Sequence, residues 1–270
     1  KKDKREVHEK SVRKERNRKL IMSISICVAV LSLGYFTYYC YQAYKSGREF
    51  EALSELKNSD FSLYRKAKVT LDAPEDAPDI LEEYITLYNK NKSLIGWLKI
   101  DDTIIDYPVM QSSNESYYLT HNFNQEKDNN GSLFIDADCS IWPRSQNIIV
   151  YGHNMKSGKM FGSLSKYKSE DYFKKHPVIQ FDTLYEKGEY QVIYVFSEIV
   201  HDEAEVAFRY YQFINVNSEE EYDSNMEQMK EMSLYDTGVV SKYGDELLTL
   251  STCDYTEGAE RFAVVAKRID

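Results

Sequence analysis

The strongest constraint on this 270-residue chain is a run of 25 residues, Leu20 to Tyr44, without a single charge. As a helix rising ~1.5 Å per residue it would be about 37 Å long, enough to cross a ~30 Å hydrocarbon core with some tilt. Tyr35, Tyr38, Tyr39, Tyr41 and Tyr44 crowd its C-terminal end, where aromatic rings favour the membrane–water interface. Arg13, Lys14, Arg16, Arg18 and Lys19 stand just before it. By the positive-inside rule this keeps residues 1–19 in the cytoplasm and puts everything after Tyr44 outside, in a single-pass arrangement. A cleaved signal peptide is the competing reading, but the run is too long for an h-region and no small-x-small cleavage site follows it.

Charge divides along the same line. Residues 1–19 hold ten Lys or Arg and four Asp or Glu, leaving 24 basic and 40 acidic side chains for the rest. A portion that acidic argues against a nucleic-acid partner, because phosphate binding needs a basic face. At this length a hydrophobic core can form without disulfides.

Residues 45–78 read as an extracellular stalk in which Phe50, Leu53 and Leu56 recur at helical spacing among charges. Asp72 to Pro78 breaks that pattern with two prolines and is the best domain boundary in the chain. The expected domains are therefore the tail 1–19, a transmembrane signal anchor 20–44, the stalk 45–78 and a main folded domain 79–270. Within the last, the pattern predicts a helix over Asp79–Lys92 capped by Asp79, and a strand pair Ile95–Ile100 and Ile104–Met110. It also predicts a short helix over Ser113–Phe123, strands at Gly131–Asp138 and Asn147–Tyr151, and a helix over Phe161–Lys175. A strand pair Val178–Phe181 and Tyr190–Phe196 follows, then a helix over Ser218–Met232 and strands Leu247–Leu250 and Phe262–Ala266. Short strands with helices between them point to a mainly β chain, a closed barrel with peripheral helices.

Four cysteines stand at 27, 40, 139 and 253, and no pair has metal-ligand spacing. Cys27 and Cys40 lie in the apolar run. Cys139 follows a strand-like stretch, and a disulfide from it to Cys253 would leave no free thiol. Cys253 ends a buried strand, where a thiol is held rigidly and can face a groove. A cysteine nucleophile needs a nearby base or a cation that stabilises the thiolate. Of the five histidines, His153 alone directly follows a buried strand and a glycine; His8, His121, His176 and His201 sit in the tail, a short amphipathic helix, a helix end and a charged loop. Arg261 opens the next strand and offers a planar fork of donors for a developing oxyanion. The plainer readings are a structural histidine, and a surface arginine opposite Asp254 or Glu257.

Thr249-Leu250-Ser251-Thr252-Cys253 matches the T-L-x-T-C signature of sortases, the membrane-anchored cysteine transpeptidases of Gram-positive bacteria. Tyr151-Gly152-His153 resembles the segment that carries their histidine, and Arg261 falls where their arginine lies. The serine in the signature, and the long helix ahead of the cysteine strand, resemble the class B subgroup. The resemblance runs from about Asp79 to Asp270. It implies an eight-stranded sortase barrel in which Cys253 attacks a threonine carbonyl in the C-terminal sorting signal of a secreted protein. His153 then moves the proton, and Arg261 holds the oxyanion or the substrate backbone. It further implies Leu119 and Ser251 as substrate-groove residues, an amine of cell-wall peptidoglycan as acceptor, and no metal or cofactor. The residue after the cysteine, often glutamate in the family, is Asp254, and its role stays open.

Two other readings remain. A pilin-polymerising sortase would share the same three residues. A surface-anchored binding module would carry Cys253 as a buried structural thiol. A papain-like protease is disfavoured, because it needs its cysteine early and its histidine late.

Overall fold

The computed structural model describes residues 2–58, 76–114, 116–199, 208–253 and 260–270, with the side chains of 2–12 and of Cys253 left aside. It divides into two compact units, residues 1–49 and 50–270. Helix α1 (Lys2–Lys57) runs through the first and opens the second. Among the described residues it is the one helix long and apolar enough to cross a membrane. Its side chains from Leu20 to Tyr44 are exposed almost throughout, Leu31 and Tyr35 each to 73%. A stripe of that kind is costly in water on every side and suits a lipid surround.

The second unit is a closed barrel of eight strands, β1 (Leu94–Lys99), β2 (Asp106–Met110), β3 (Leu133–Ile135), β4 (Asn147–His153), β5 (Val178–Thr183), β6 (Glu189–Ile199), β7 (Leu247–Cys253) and β8 (Glu260–Arg268). Around the barrel they run β1-β2-β3-β4-β7-β8-β6-β5. Pairing is antiparallel except at β2–β3 and β4–β7. The barrel interior is filled by residues such as Leu98, Val109, Val150, Phe181, Val192, Leu248, Leu250 and Val264, all buried. A second apolar layer lies outside β6, β7 and β8, where α4 (Glu219–Met232) packs Tyr222, Met226 and Met229 against Ile193, Leu247, Ala263 and Val265. Covered on both faces, β7 reads as a continuous buried run rather than an alternating one.

The expected strands are all present, with His153 and Cys253 inside β4 and β7 rather than just beyond them. Helix α4 begins where expected: Ser218 accepts from the Glu221 amide at 3.2 Å, and Glu221 accepts from the Asn217 amide at 3.2 Å. That reciprocal arrangement satisfies amide groups the first turn leaves open. Three helices differ. The first, α2, spans Glu82–Lys90 without a side-chain cap: the Leu81 amide is taken by the Leu184 carbonyl at 2.8 Å, and Leu81 rather than Asp79 stands at the cap. Among its described residues, Ser113–Phe123 holds a 3-10 helix at Tyr117–Leu119. Phe161–Lys175 is split into a 3-10 helix Leu164–Lys168 and α3 (Glu170–Lys175), with Ser169 extended between them.

The largest difference lies at the start of the unit. Phe50 and Leu53, expected in a stalk, are buried in the barrel core. Phe50 meets the Tyr107 ring edge-on at 5.0 Å, and Ser54 donates to Asp106 at 3.0 Å. Lys57 pairs with Asp182 at 3.6 Å and lies 5.3 Å from the Tyr84 ring and 5.1 Å from the Trp97 ring. The compact unit thus begins ahead of the boundary read from the prolines, of which Pro74 falls outside the described residues.

Candidate active site

Strands β4 and β7 run parallel and in register over seven pairs, from Asn147↔Leu247 to His153↔Cys253. Adjacent strands lie about 4.8 Å apart, so the histidine and the cysteine are nearest neighbours on the sheet. Side chains alternate along a strand. Position 253 therefore continues the series of Leu247, Thr249 and Ser251, and Arg261 that of Ala263 and Val265. Leu247, Ala263 and Val265 belong to the layer under α4, so all three positions share the outer face of the barrel.

Each position is held by its own contacts. Gly152 precedes His153 because there is no room for more: an added Cβ would stand 2.4 Å from a Leu133 methyl and 2.8 Å from the Phe161 ring. The His153 carbonyl accepts from the amides of Met155 and Phe161, each at 3.0 Å. Its ring Nε2 lies 2.7 Å from the Leu119 carbonyl. A carbonyl can only accept, so Nε2 carries the hydrogen and Nδ1 is left to exchange a proton. Leu119 ends the 3-10 helix Tyr117–Leu119, whose carbonyls crowd Gly131. There φ is +61°, and a Cβ would meet the Tyr118 oxygen at 2.3 Å and the Leu119 oxygen at 2.7 Å. Glycine at 131 is what lets the chain pass beneath that turn.

Arg261 is buried, with its guanidinium 4.9 Å from the Tyr211 ring centroid. It pairs in register with Glu198 of β6. Tyr210, beside Tyr211 in the 3-10 helix Tyr210–Gln212, is hydrogen bonded to the Ser251 hydroxyl at 2.7 Å and also contacts Arg261 through its hydroxyl. Burial pushes its phenol up to about 12 against the pull of Ser251 and Arg261. Ser251 is fully buried in this arrangement. Thr249 donates to Asn147 at 3.0 Å, tying β7 to β4 from the same face.

The other thiol of this unit is built differently. Cys139 is free and buried, donating to the Asn147 carbonyl at 3.7 Å and accepting from the Ile149 amide at 3.4 Å. Burial pushes it up to about 12, so it stays protonated. Asp254, Glu257 and His201 lie outside the described residues. His121 stacks on Tyr117, in the segment whose Leu119 carbonyl meets the His153 ring, and His176 bonds to the Asp101 carbonyl. Sequence reasoning missed Tyr210, Tyr211 and the Leu119 carbonyl as parts of this site. A tyrosine pair in a polar loop carries no periodic signal, and a main-chain oxygen carries none at all.

The sortase domain family matches residues 98–269. Sortase B of Listeria monocytogenes is 33% identical over 204 residues, covering 76% of this chain and 79% of that protein. A Staphylococcus aureus sortase B–substrate complex superposes with a TM-score of 0.73 at 26% identity, covering 85% of this chain and 99% of that one. Sortase B of Bacillus anthracis in complex with AAEK1 gives 0.69 at 30% identity, with the same coverage of 85% and 99%.

Proposed function

The chain belongs to the sortase family, on its class B branch, and is a cysteine transpeptidase; from that premise we propose that it joins secreted proteins to the cell wall through Cys253, His153 and Arg261. The observation that carries this is the parallel register that makes His153 and Cys253 sheet neighbours. The Cys253 thiolate attacks the carbonyl carbon of a threonine in a C-terminal sorting signal. The His153 imidazolium gives a proton from Nδ1 to the departing amine as the C–N bond breaks, leaving a thioester on Cys253. An amine of the peptidoglycan stem or cross-bridge then gives a proton back to Nδ1 and attacks that thioester, which releases the thiolate.

The Leu119 carbonyl supports this assignment, since it takes the Nε2 hydrogen and leaves Nδ1 as the ring atom that can exchange a proton. Arg261 holds the tetrahedral oxyanion or the substrate backbone, its guanidinium plane fixed on Tyr211. Leu119 contributes to the substrate groove beside the histidine, whereas Ser251, fully buried, lies behind the groove and supports it through its bond to Tyr210. The exposed apolar stretch of α1 anchors the chain, with its basic N-terminal end in the cytoplasm and the barrel outside.

The test is to profile the full chain, in detergent micelles, against a library of pentapeptide sorting motifs with and without an added amine. Cleavage that shifts from hydrolysis to transfer when the amine is present is the expected result. Cys253→Ala should abolish it with the fold intact, and a thiol probe should label Cys253 while sparing Cys139. Residual turnover in Cys253→Ala, or an inert Cys253 in folded protein, would overturn the assignment.

A further inference from the structure

Strands β7 and β8 part at the site. Their last described pair is Ser251↔Ala263, yet β7 stays with β4 as far as Cys253, and β8 stays with β6 as far as Glu260. The sheet opens there into a fork, one prong leading to Cys253 and the other carrying Arg261. Where the ladder stops, the Phe262 amide donates to the Thr252 side chain at 2.9 Å, so a hydroxyl replaces the carbonyl that a continuing strand would offer.

The Tyr210 hydroxyl, buried in that fork, touches both prongs: Ser251 on β7 at 2.7 Å and Arg261 on β8. The hydrogens along this path have one consistent direction. Arginine has only donors, so it is the Tyr210 oxygen that faces Arg261. The Tyr210 hydrogen is then directed to the Ser251 hydroxyl, and the Ser251 hydrogen to the Thr252 carbonyl at 3.4 Å. That carbonyl belongs to the peptide leading into Cys253.

We propose that Tyr210 is a positioning residue of this site: its buried hydroxyl links Ser251 to Arg261 and fixes the guanidinium relative to the nucleophile strand. The inference rests on the reading of Arg261 as the group that holds the reacting carbonyl. Tyr210 meets no substrate atom; it acts through Arg261, while Tyr211 holds the guanidinium plane. Phenylalanine at 210 would keep the ring packing against Phe196 and remove only the link.

The experiment compares the full-length wild type with Tyr210→Phe, Ser251→Ala, Arg261→Lys and the Tyr210→Phe/Arg261→Lys double variant, using a fluorogenic peptide that the wild type cleaves. Tyr210→Phe should lower kcat about 10-fold or more while KM moves less than about threefold, as expected for an interaction that matters in the transition state. Ser251→Ala should repeat that split, and carries the test if Tyr210→Phe fails to fold. The double variant should be no worse than Arg261→Lys alone. Iodoacetamide alkylation of Cys253 should proceed at the wild-type rate in Tyr210→Phe. A kcat within about twofold of wild type, or an equal loss in the Arg261→Lys background, overturns the inference. Should the wild type neither cleave peptide nor react with iodoacetamide, it is the enzymatic reading that fails. The link is then read from thermal unfolding, where additive effects of Tyr210→Phe and Arg261→Lys overturn it.

Discussion

Strand β8 carries an arginine near each end, and the two are held in opposite ways. Arg268, at the C-terminal end, pairs with Glu186 and Glu246 at 2.9 Å and with Asp270 at 3.0 Å, and donates to the Lys187 carbonyl at 2.8 Å. Its charge is neutralised by carboxylates from several turns and strand ends, so it ties down the closed end of the barrel. Arg261, at the N-terminal end, lies on the Tyr211 ring and against the Tyr210 hydroxyl, in register with Glu198. A ring and a hydroxyl fix the plane in which a guanidinium presents its donors, which a set of ion pairs at a strand end need not do. One arginine is used as a clamp, the other as a placed cation.

The sharpest way to break that contrast is Arg261→Lys. An ammonium keeps the charge and loses the planar fork, so kcat/KM on a sorting peptide should fall by about 10²–10³ while the melting temperature moves little. Near-normal kinetics would make Arg261 a second clamp and erase the difference between the two ends.

Next in size is a cut at the start of the unit. A chain beginning at Phe50 should fold. One beginning at Asp79 loses Phe50 and Leu53 from the core, at roughly 1.5–3 kcal/mol each for the burial of an apolar side chain. It should therefore melt lower while its kcat stays close to that of the longer chain. Denaturant unfolding of the two forms side by side is the measurement. Equal stability would return residues 50–57 to the role of a stalk.

That segment shows where the sequence stopped being readable. The apolar spacing of Phe50, Leu53 and Leu56 was visible, but the charges around them and the prolines after them made the segment read as a stalk. Lys57 is in fact enclosed by Asp182 and by the Tyr84 and Trp97 rings, partners from three other elements that no local pattern announces. Its loss of hydration holds the ammonium below its ordinary range despite those carboxylates. At the site the balance is reversed. The barrel strands and the positions of Cys253, His153 and Arg261 were legible because a buried run ending in a reactive residue is a local signal. Their shared face follows from strand periodicity once the β4–β7 register is known. Tyr210 was not legible, because its link to Ser251 spans 41 positions of sequence. The Asp79 cap was misread because the Leu184 carbonyl draws the Leu81 amide away from a helical start.

Arg268→Lys probes the clamp. Lysine can meet one or two of the carboxylates but not all of them, so stability should drop by about 2 kcal/mol, in the range for hydrogen bonds to charged groups. Peptide cleavage at a temperature well below the melt should be unchanged. A loss of kcat comparable to that of Arg261→Lys would mean that the two ends of β8 are mechanically coupled, and the division between clamp and placed cation would not stand.

The mildest perturbation is alkaline pH, and its sign follows from the tyrosines. Burial raises the phenols of Tyr107, Tyr210, Tyr222 and Tyr235 to about 12, and pushes those of Tyr84, Tyr151 and Tyr167 up as well. In the unfolded chain they ionise near pH 10, so above that pH the unfolded state binds fewer protons than the folded one and stability falls. Each tyrosine that stays protonated only in the folded state contributes a slope of up to about 1.4 kcal/mol per pH unit. Below pH 10 their contribution is constant. Lys57 and Lys159 work in the opposite sense, since a lysine held below its ordinary value gains stability as pH rises towards that value, but they are two groups against seven. Melting temperature should therefore be level up to about pH 10 and drop steeply beyond it. Replacing Tyr210 by Phe should remove one proton's worth of that slope. An unaltered slope would mean that the Tyr210 phenol ionises as freely in the folded barrel as outside it, and is not sealed between Ser251 and Arg261.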